Sequence, residues 1–483
     1  MIQKTKRLGQ TFTPDNIVNI MLDMVGYVGD NILKKHVIDN SCGDGSILKL
    51  VLKRYCETYI KKYNTTQGLK EDIETYIHGI EIDDVYDDCI QNLIQIINEY
   101  GISDVKFDIL HANTLCVEKY NNKMDFVIGN PPYVRVHNLN TSYNDVRDFS
   151  FSKKGMTDLY ITFFEIGIKM LKNTGKLIYI TPISWITSSS GIDLRKHIFK
   201  NNYNLSFVDF EHYQVFKGVT TYSLITMIDK SKINGEVSIY KFNKNTLTPD
   251  LYELTTIKNI FINNSLFLIK KEHLDKIKSV IEYNGEKYIS VKNGFATLCD
   301  EVFYNVDFND MTIDVIKSTT TKKTKCLYPY DKFGKEVDYD IVMSNGIVRD
   351  YYFKNKNKIL KNKSSNDNRW IYFGRTQGLN DVYKLKYTIN MIVKTCDDFK
   401  ITKAKEGVGV YGGLYILPQN KYQKYGNKLN EILKDEDIMI YIKSLKKYKS
   451  GGYYTFSSND IEKILNYKIS LIENKQTEEE SLW

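Results

Sequence analysis

The sequence predicts an α/β fold with a mainly parallel sheet over residues 1–235 and an α+β domain over residues 236–483, and three observations carry that prediction. An apolar run, Asp125-Phe126-Val127-Ile128-Gly129, stops at Asn130-Pro131-Pro132-Tyr133, which reads as a buried strand closed by a stiff loop, because two successive prolines forbid both ladder pairing and helix. Val37-Ile38-Asp39 runs into the glycine-bearing turn Asn40-Ser41-Cys42-Gly43-Asp44-Gly45 and then into helical periodicity, a strand-turn-helix signature. Charge also changes along the chain. Residues 1–230 hold 26 Lys/Arg against 27 Asp/Glu, whereas residues 231–483 hold 41 against 32.

A chain of 483 residues is long enough for two or more domains with cores of their own. The net charge of +8 resides in the second half, which fits a nucleic-acid-binding domain attached to a nearly neutral one. A chain rich in Lys, Asn, Ile and Tyr also follows from A·T-rich codon usage, so lysine content alone does not decide this. The seven cysteines are scattered without metal-ligand spacing, and their odd number argues against a disulfide framework. No histidine cluster suggests a metal, and none is expected. Neither a leader-like apolar segment nor a run of eighteen apolar residues occurs, so the expected home is the bacterial cytoplasm.

Taken in order, Leu8 to Thr13 lead into Pro14 and the periodic stretch Asp15–Val25, with Thr13 suited to cap a helix and Pro14 to its first position. Tyr76 to Asp83 is a second strand, with Glu81 and Ile82 at its end. The polar stretch from Thr58 to Thr75 lengthens the connection before it. Asp83, Asp84, Asp87 and Asp88 read as a solvated helix start. Val105 to Leu115 supplies a third strand, with Asp108 and Asn113 near its ends. After the Asn-Pro-Pro-Tyr loop, Arg135 to Lys154 is polar and aperiodic; a helix follows to about Leu171, then strands at Lys176–Pro182, Phe207–Phe210 and Tyr222–Ile228. Phe216 lies between the last two.

Asn130 and Pro131 on a preorganised loop at a strand's C-terminal end present two acceptors, a side-chain amide oxygen and a backbone carbonyl. Together they can take both N–H bonds of an aromatic amine and free its lone pair, while Tyr133 offers a flat face to an unstacked base. The tetrapeptide resembles the catalytic motif of S-adenosylmethionine-dependent amino-methyltransferases. The surrounding 230 or so residues resemble the TaqI-like, gamma-class adenine-N6 DNA methyltransferases of restriction-modification systems. That resemblance implies a Rossmann-like S-adenosylmethionine methyltransferase domain with a mainly parallel seven-stranded sheet and a C-terminal target-recognition domain. It implies catalytic roles for Asn130, Pro131, Pro132 and Tyr133, with Phe216 as a second aromatic against the base. For the cofactor, it implies Thr13 and Pro14 at the methionine end, Asp39 on the ammonium, Ser41, Cys42 and Gly43 in the glycine loop, and Glu81 with Ile82 at the ribose. Asn113 stands at the position that accepts the adenosine amine, with Asp108 as its competitor. Asn40 stands where the family usually has proline.

In the second half, basic clusters at Lys317–Lys325, Lys354–Lys363 and Lys443–Lys449 interleave with aromatics and fit phosphate contact; solvated lysine faces fit them equally well. Gly407 to Pro418 reads as a hairpin, residues 230–235 as a linker, and the Glu478–Glu480 tail as disordered. The functional expectation is a site-specific adenine-N6 methyltransferase that acts on double-stranded DNA, with a cognate restriction endonuclease as a candidate partner. Its alternatives are a cytosine-N4, RNA or protein amino-methyltransferase, a fused nuclease-methyltransferase and a non-catalytic DNA-binding module. Because the cofactor motif lies close to Met1, an N-terminal nuclease is not expected.

Overall fold

The structure is a computed structural model and describes residues 12–136, 146–153, 157–216, 218, 220–362 and 368–481. Leu8–Thr11, most of the polar segment after Val136, Lys217, Val219 and Lys363 lie outside the described residues. The chain forms two compact units, Met1–Asp275 and Lys276–Trp483.

The first unit is built on one sheet. Its strands are β1 (Val37–Asp39), β2 (Ile77–Glu81), β3 (Asp108–His111), β4 (Met124–Gly129), β5 (Leu171–Pro182), β6 (Asn204–Asp209), β7 (Ser223–Asp229), β8 (Glu236–Asn243) and β9 (Thr248–Thr256). They lie in the order β3-β2-β1-β4-β5-β7-β6-β8-β9. β1 through β5 pair in parallel, β7 is antiparallel to both β5 and β6, and β8 runs parallel to β6. The sheet is therefore mainly parallel, as expected, but has nine strands rather than seven.

The expected domain boundary after Gly235 is corrected for the same reason. Residues 230–235 form only the turn from β7 into β8, where Gly235 adopts φ +71°, and the Asn204 side chain joins β6 to the start of β8 through hydrogen bonds with Glu236. Composition cannot separate such a turn from a linker, since both favour Gly, Asn, Ser and Lys.

Helix α1 (Asp15–Val25), α2 (Leu48–Tyr63), α3 (Leu69–Tyr76) and α4 (Tyr86–Glu99) connect and cover the parallel strands. Ile17, Met21 and Leu22 of α1, Val51, Leu52 and Tyr55 of α2, and Leu93 and Ile97 of α4 share one core with Val37, Ile77 and Phe126. Their three- and four-residue spacing is what an amphipathic helix needs to bury one face. Helix α5 (Leu159–Met170) is apolar on all sides and buried along nearly its whole length, as a central helix should be.

The second unit mixes strands and helices. One sheet joins Ile289–Asn293, Leu414–Pro418, Lys386–Ile389 and Ile401–Ala404, and another joins Lys323–Leu327, Thr312–Lys317 and Gly409–Tyr411. Gly409–Tyr411 and Leu414–Pro418 therefore belong to different sheets and are not the expected hairpin. A Cβ on Gly413 would lie 2.7 Å from that of Ser318, whose hydroxyl donates to the Ile389 and Leu414 carbonyls, so the chain splays at Gly412-Gly413. The C-terminal segment expected to be disordered continues the helix Ser458–Ser481. No helix among the described residues is long and apolar enough to cross a membrane.

Candidate active site

The sheet order reverses direction between β1 and β4, and in open α/β sheets that switch point opens a crevice beyond the carboxyl ends of the strands. Asp39 ends β1, Glu81 ends β2 and Asn130 follows β4, so residues far apart in sequence meet there. Gly129 makes this approach possible. A Cβ at that position would stand 3.2 Å from Asp39 Oδ1 and 3.1 Å from the Tyr179 ring.

Asp39 is only 1% exposed and accepts one hydrogen bond, from the Ser41 backbone N–H at 3.1 Å. Burial, reinforced by the neighbouring Glu81 and Asp44 carboxylates, pushes its pKa up to about 8. Glu81 is raised as well, chiefly by burial, although backbone N–H groups oppose the shift. Its Oε2 accepts from Gly43 N–H at 2.7 Å, and its Oε1 accepts from Ile82 and Asp83 N–H at 2.9 Å each. Three of about four acceptor sites on this carboxylate are thus used, so it cannot take two ribose hydroxyls unless one backbone bond opens.

The glycine loop is shaped by its backbone. Gly43 and Gly45 have φ of +56° and +83°, and a Cβ on Gly45 would collide with Cys89 Sγ at 2.9 Å. The Cys42 thiol turns away from the crevice into contact with Cys89, at 3.9 Å, leaving only the Cys42 backbone for a ligand. Ser41 Oγ is buried with no hydrogen-bond partner among the described residues. Asn40, in the usual proline position, is sealed in by Tyr179, whose hydroxyl donates to its Oδ1 at 3.0 Å.

Beside this loop stand two exposed apolar side chains. Ile82 is 55% exposed, and Phe12 is 48% exposed with its ring 3.9 Å from where a Cβ on Gly43 would lie. Phe12 was not singled out by sequence; its place inside Thr11-Phe12-Thr13-Pro14 was the available signal. Asn113 caps the turn Thr114–Cys116 by accepting from Leu115 N–H at 3.1 Å and lies next to Ala112, which donates to the Glu81 carbonyl. The competing Asp108 is engaged elsewhere. Burial alone would raise its pKa, but hydrogen bonds from His78 at 2.7 Å and Lys119 at 2.6 Å outweigh that and hold it well below the usual carboxylate range.

On the other side of the crevice, Asn130 Nδ2 donates to Thr13 Oγ1 at 3.1 Å. This corrects the expected cap. Helix α1 begins at Asp15, Pro14 occupies the N-cap position with φ −60° and ψ 143°, and its carbonyl accepts from Ile17 and Val18 N–H. The Thr13 hydroxyl is left to serve Asn130. Tyr133 donates to the Ile180 carbonyl at 3.1 Å, and burial raises its pKa well above that of a free phenol. Its ring meets Phe216 edge-on, with centroids 6.1 Å apart and planes at 74°, and Tyr160 similarly at 6.3 Å. Phe216 is buried at the rim of the core. The two aromatics expected to share a base are therefore neighbours.

Buried carboxylates, an orphaned hydroxyl, a glycine turn and flanking apolar surface define the class: an α/β domain with an acidic crevice at the switch point of its sheet. The particular family follows from comparison. Residues 38–216 match the family described as Eco57I restriction-modification methylase. The type II restriction enzyme and methyltransferase RM.Eco57I of Escherichia coli is 23% identical over 403 residues, 72% of this chain and 38% of that protein. The type II methyltransferase M.BstVI of Geobacillus stearothermophilus is 28% identical over 250 residues, 47% of this chain and 43% of its own. M.AccI of Acinetobacter calcoaceticus is 22% identical over 516 residues, covering 100% of this chain and 89% of that one. The chain thus spans about two fifths of the first two relatives and most of the third. Among solved structures, the type IIL restriction-modification enzyme MmeI in complex with DNA shares the fold, with a TM-score of 0.59 at 14% identity over 92% of this chain and 63% of that one. The DrdV–DNA complex gives 0.55 at 12% identity over 91% and 54%. Over residues 38–216 the chain is accordingly similar to restriction-modification methylases of the Eco57I type, and the cofactor this similarity supports is S-adenosyl-L-methionine.

The crevice fits that group, since a cation beside Asp39 would offset the burial that raises its pKa and Glu81 keeps acceptor capacity for a hydroxyl. A pH dependence follows. With its folded pKa near 8 against about 4 unfolded, Asp39 contributes stability at low pH that is lost as pH rises through about 8. The melting temperature of cofactor-free Asp39→Asn relative to the parent protein is expected to climb between about pH 4 and pH 8 and then level off. A pH-independent difference would contradict this, as would an unchanged difference on adding cofactor.

Proposed function

We propose that the chain is a site-specific DNA methyltransferase that moves the methyl group of S-adenosyl-L-methionine to N6 of an adenine flipped out of the duplex, within a restriction-modification system. In such a system the implied partner is an endonuclease of the same specificity. The observation that carries the reading is the Asn130–Thr13 hydrogen bond. With the amide nitrogen donating to Thr13, Asn130 Oδ1 is the acceptor that this reading assigns to a substrate amine.

When bound, the cofactor supplies an electrophilic methyl carbon on its sulfonium. Asn130 Oδ1 accepts one N6–H of the adenine and the Pro131 carbonyl accepts the other, which localises the nitrogen lone pair that the ring would otherwise delocalise. The cofactor would supply the methyl for a new N6–CH3 bond at the expense of its own S–CH3 bond, and the proton lost from N6 would leave along the Asn130 and Pro131 acceptors to solvent. Tyr133, held by Ile180, and Phe216 at its edge contact the extruded base. Asp39, the Ser41–Gly43 loop, Glu81, Ile82 and Asn113 hold the cofactor, with Pro14 fixing the start of α1 and Pro132 stiffening the loop. The second unit, with 35 Lys/Arg against 27 Asp/Glu over residues 276–483, supplies the target-recognition domain.

Two measurements test this. Unmodified DNA incubated with protein and cofactor, then digested to nucleosides, is expected to yield N6-methyladenine; N4-methylcytosine in its place would transfer the same geometry to the other amine. Removing the Thr13 acceptor by Thr13→Val leaves a buried amide N–H unsatisfied and is expected to lower kcat by roughly 5- to 150-fold. The cofactor KM should move little, and Thr13→Ser should restore the rate. A Thr13→Val enzyme as fast as Thr13→Ser would remove Thr13 from the mechanism.

A further inference from the structure

In the second unit there is a place where aromatic, amide and cationic groups converge on solvent. An open depression is lined by Lys332, Phe333, Asn380, Tyr383 and Lys384. Phe333 is 62% exposed and Tyr383 46%, whereas Tyr328, Tyr330, Trp370, Tyr372 and Phe373 of the same lobe are buried. Exposing two aromatics side by side is costly in water unless something covers them.

Both walls are preorganised. Phe333 sits at the tip of a turn in which Asp331 Oδ1 accepts from Phe333 N–H at 2.8 Å and Lys335 N–H at 2.9 Å, and Tyr330 bridges to Glu336. Asn380 lies in the single turn Leu379–Asp381, anchored by the buried Asp381 carboxylate, which accepts from Lys292, Lys384 and Tyr415 at 2.7, 2.9 and 2.8 Å. The walls touch, since a Cβ on Gly334 would meet Asn380 Oδ1 at 2.7 Å. Among the described residues the Asn380 amide makes no hydrogen bond and Lys332 no ion pair. The surrounding unit holds the whole positive excess, because residues 1–275 balance at 32 Lys/Arg against 32 Asp/Glu.

We propose that this depression is a base-reading contact for double-stranded DNA at an A·T pair, an inference that rests on the DNA-methyltransferase reading. A side-chain amide carries an adjacent donor and acceptor that match N7 and N6 of adenine, and an aromatic edge matches the thymine methyl group. Asn380 makes the first contact and Phe333 with Tyr383 the second, while Lys332 and Lys384 meet flanking phosphates. A polyanion is favoured over an apolar protein surface because cations flank both aromatics.

The test uses the full-length protein and unmethylated double-stranded DNA with a randomised insert, sequenced for modified positions. The parent protein is expected to mark one motif. Asn380→Ala and Phe333→Ala are expected to mark a motif relaxed at one A·T position, with discrimination there reduced roughly 5- to 150-fold. Lys332→Ala should weaken cognate and random DNA alike and reduce the slope of log affinity against log salt by about 0.9. Active Asn380→Ala and Phe333→Ala variants that keep the parent motif and rate would overturn the proposal and leave the patch to a protein partner. A parent protein that binds cofactor yet marks no DNA would instead sink the reading beneath it.

Discussion

An asparagine amide offers a donor and an acceptor, and which one faces a substrate decides what it can do. In this protein Thr13, 117 residues earlier in the chain, accepts a hydrogen bond from the Asn130 nitrogen. That bond exists only because α1 starts at Asp15 with Pro14 extended before it, and because β4 ends at a glycine small enough to bring the loop against Asp39. The parallel order of β1, β2 and β4 brings the three segments to one edge. Fold and chemistry are joined at that point.

Electrostatics explain why the crevice needs a cation. Two carboxylates from adjacent strands are buried together, both with raised pKa values, and neither accepts a hydrogen bond from a lysine or arginine among the described residues. A cationic ligand beside Asp39 would offset the burial that raises its pKa. Glu81 acts partly as a scaffold. Its bonds to Gly43, Ile82 and Asp83 tie the glycine loop to the end of β2, so ligand contact and loop position are coupled.

Much of this was legible in the sequence because strong local signals coincide with the site. Proline after an apolar run marks the β4 loop, and glycines after Asp39 mark the turn that follows β1; both depend on backbone restrictions that act residue by residue. The Thr13 bond was not legible, since a threonine before a proline and a helical pattern has the local chemistry of a cap, and only tertiary structure reveals a stronger claim on its hydroxyl. β8 and β9 were missed because their half-buried faces alternate among polar residues, and the six residues before them resemble a linker. Asn113 is preferred to Asp108 in the sequence by its place before Leu115, and the structure adds that His78 and Lys119 already hold Asp108.

The central claim is that Asn130 acts on the substrate amine and not on the cofactor. It is tested most directly by single-turnover transfer of labelled methyl to DNA by Asn130→Ala, with cofactor affinity measured calorimetrically on the same variant. The account predicts a rate loss of at least about 10²-fold with cofactor Kd within a few fold of the parent. A variant that turns over at near the parent rate, or one whose loss is explained by weakened cofactor binding, would contradict it.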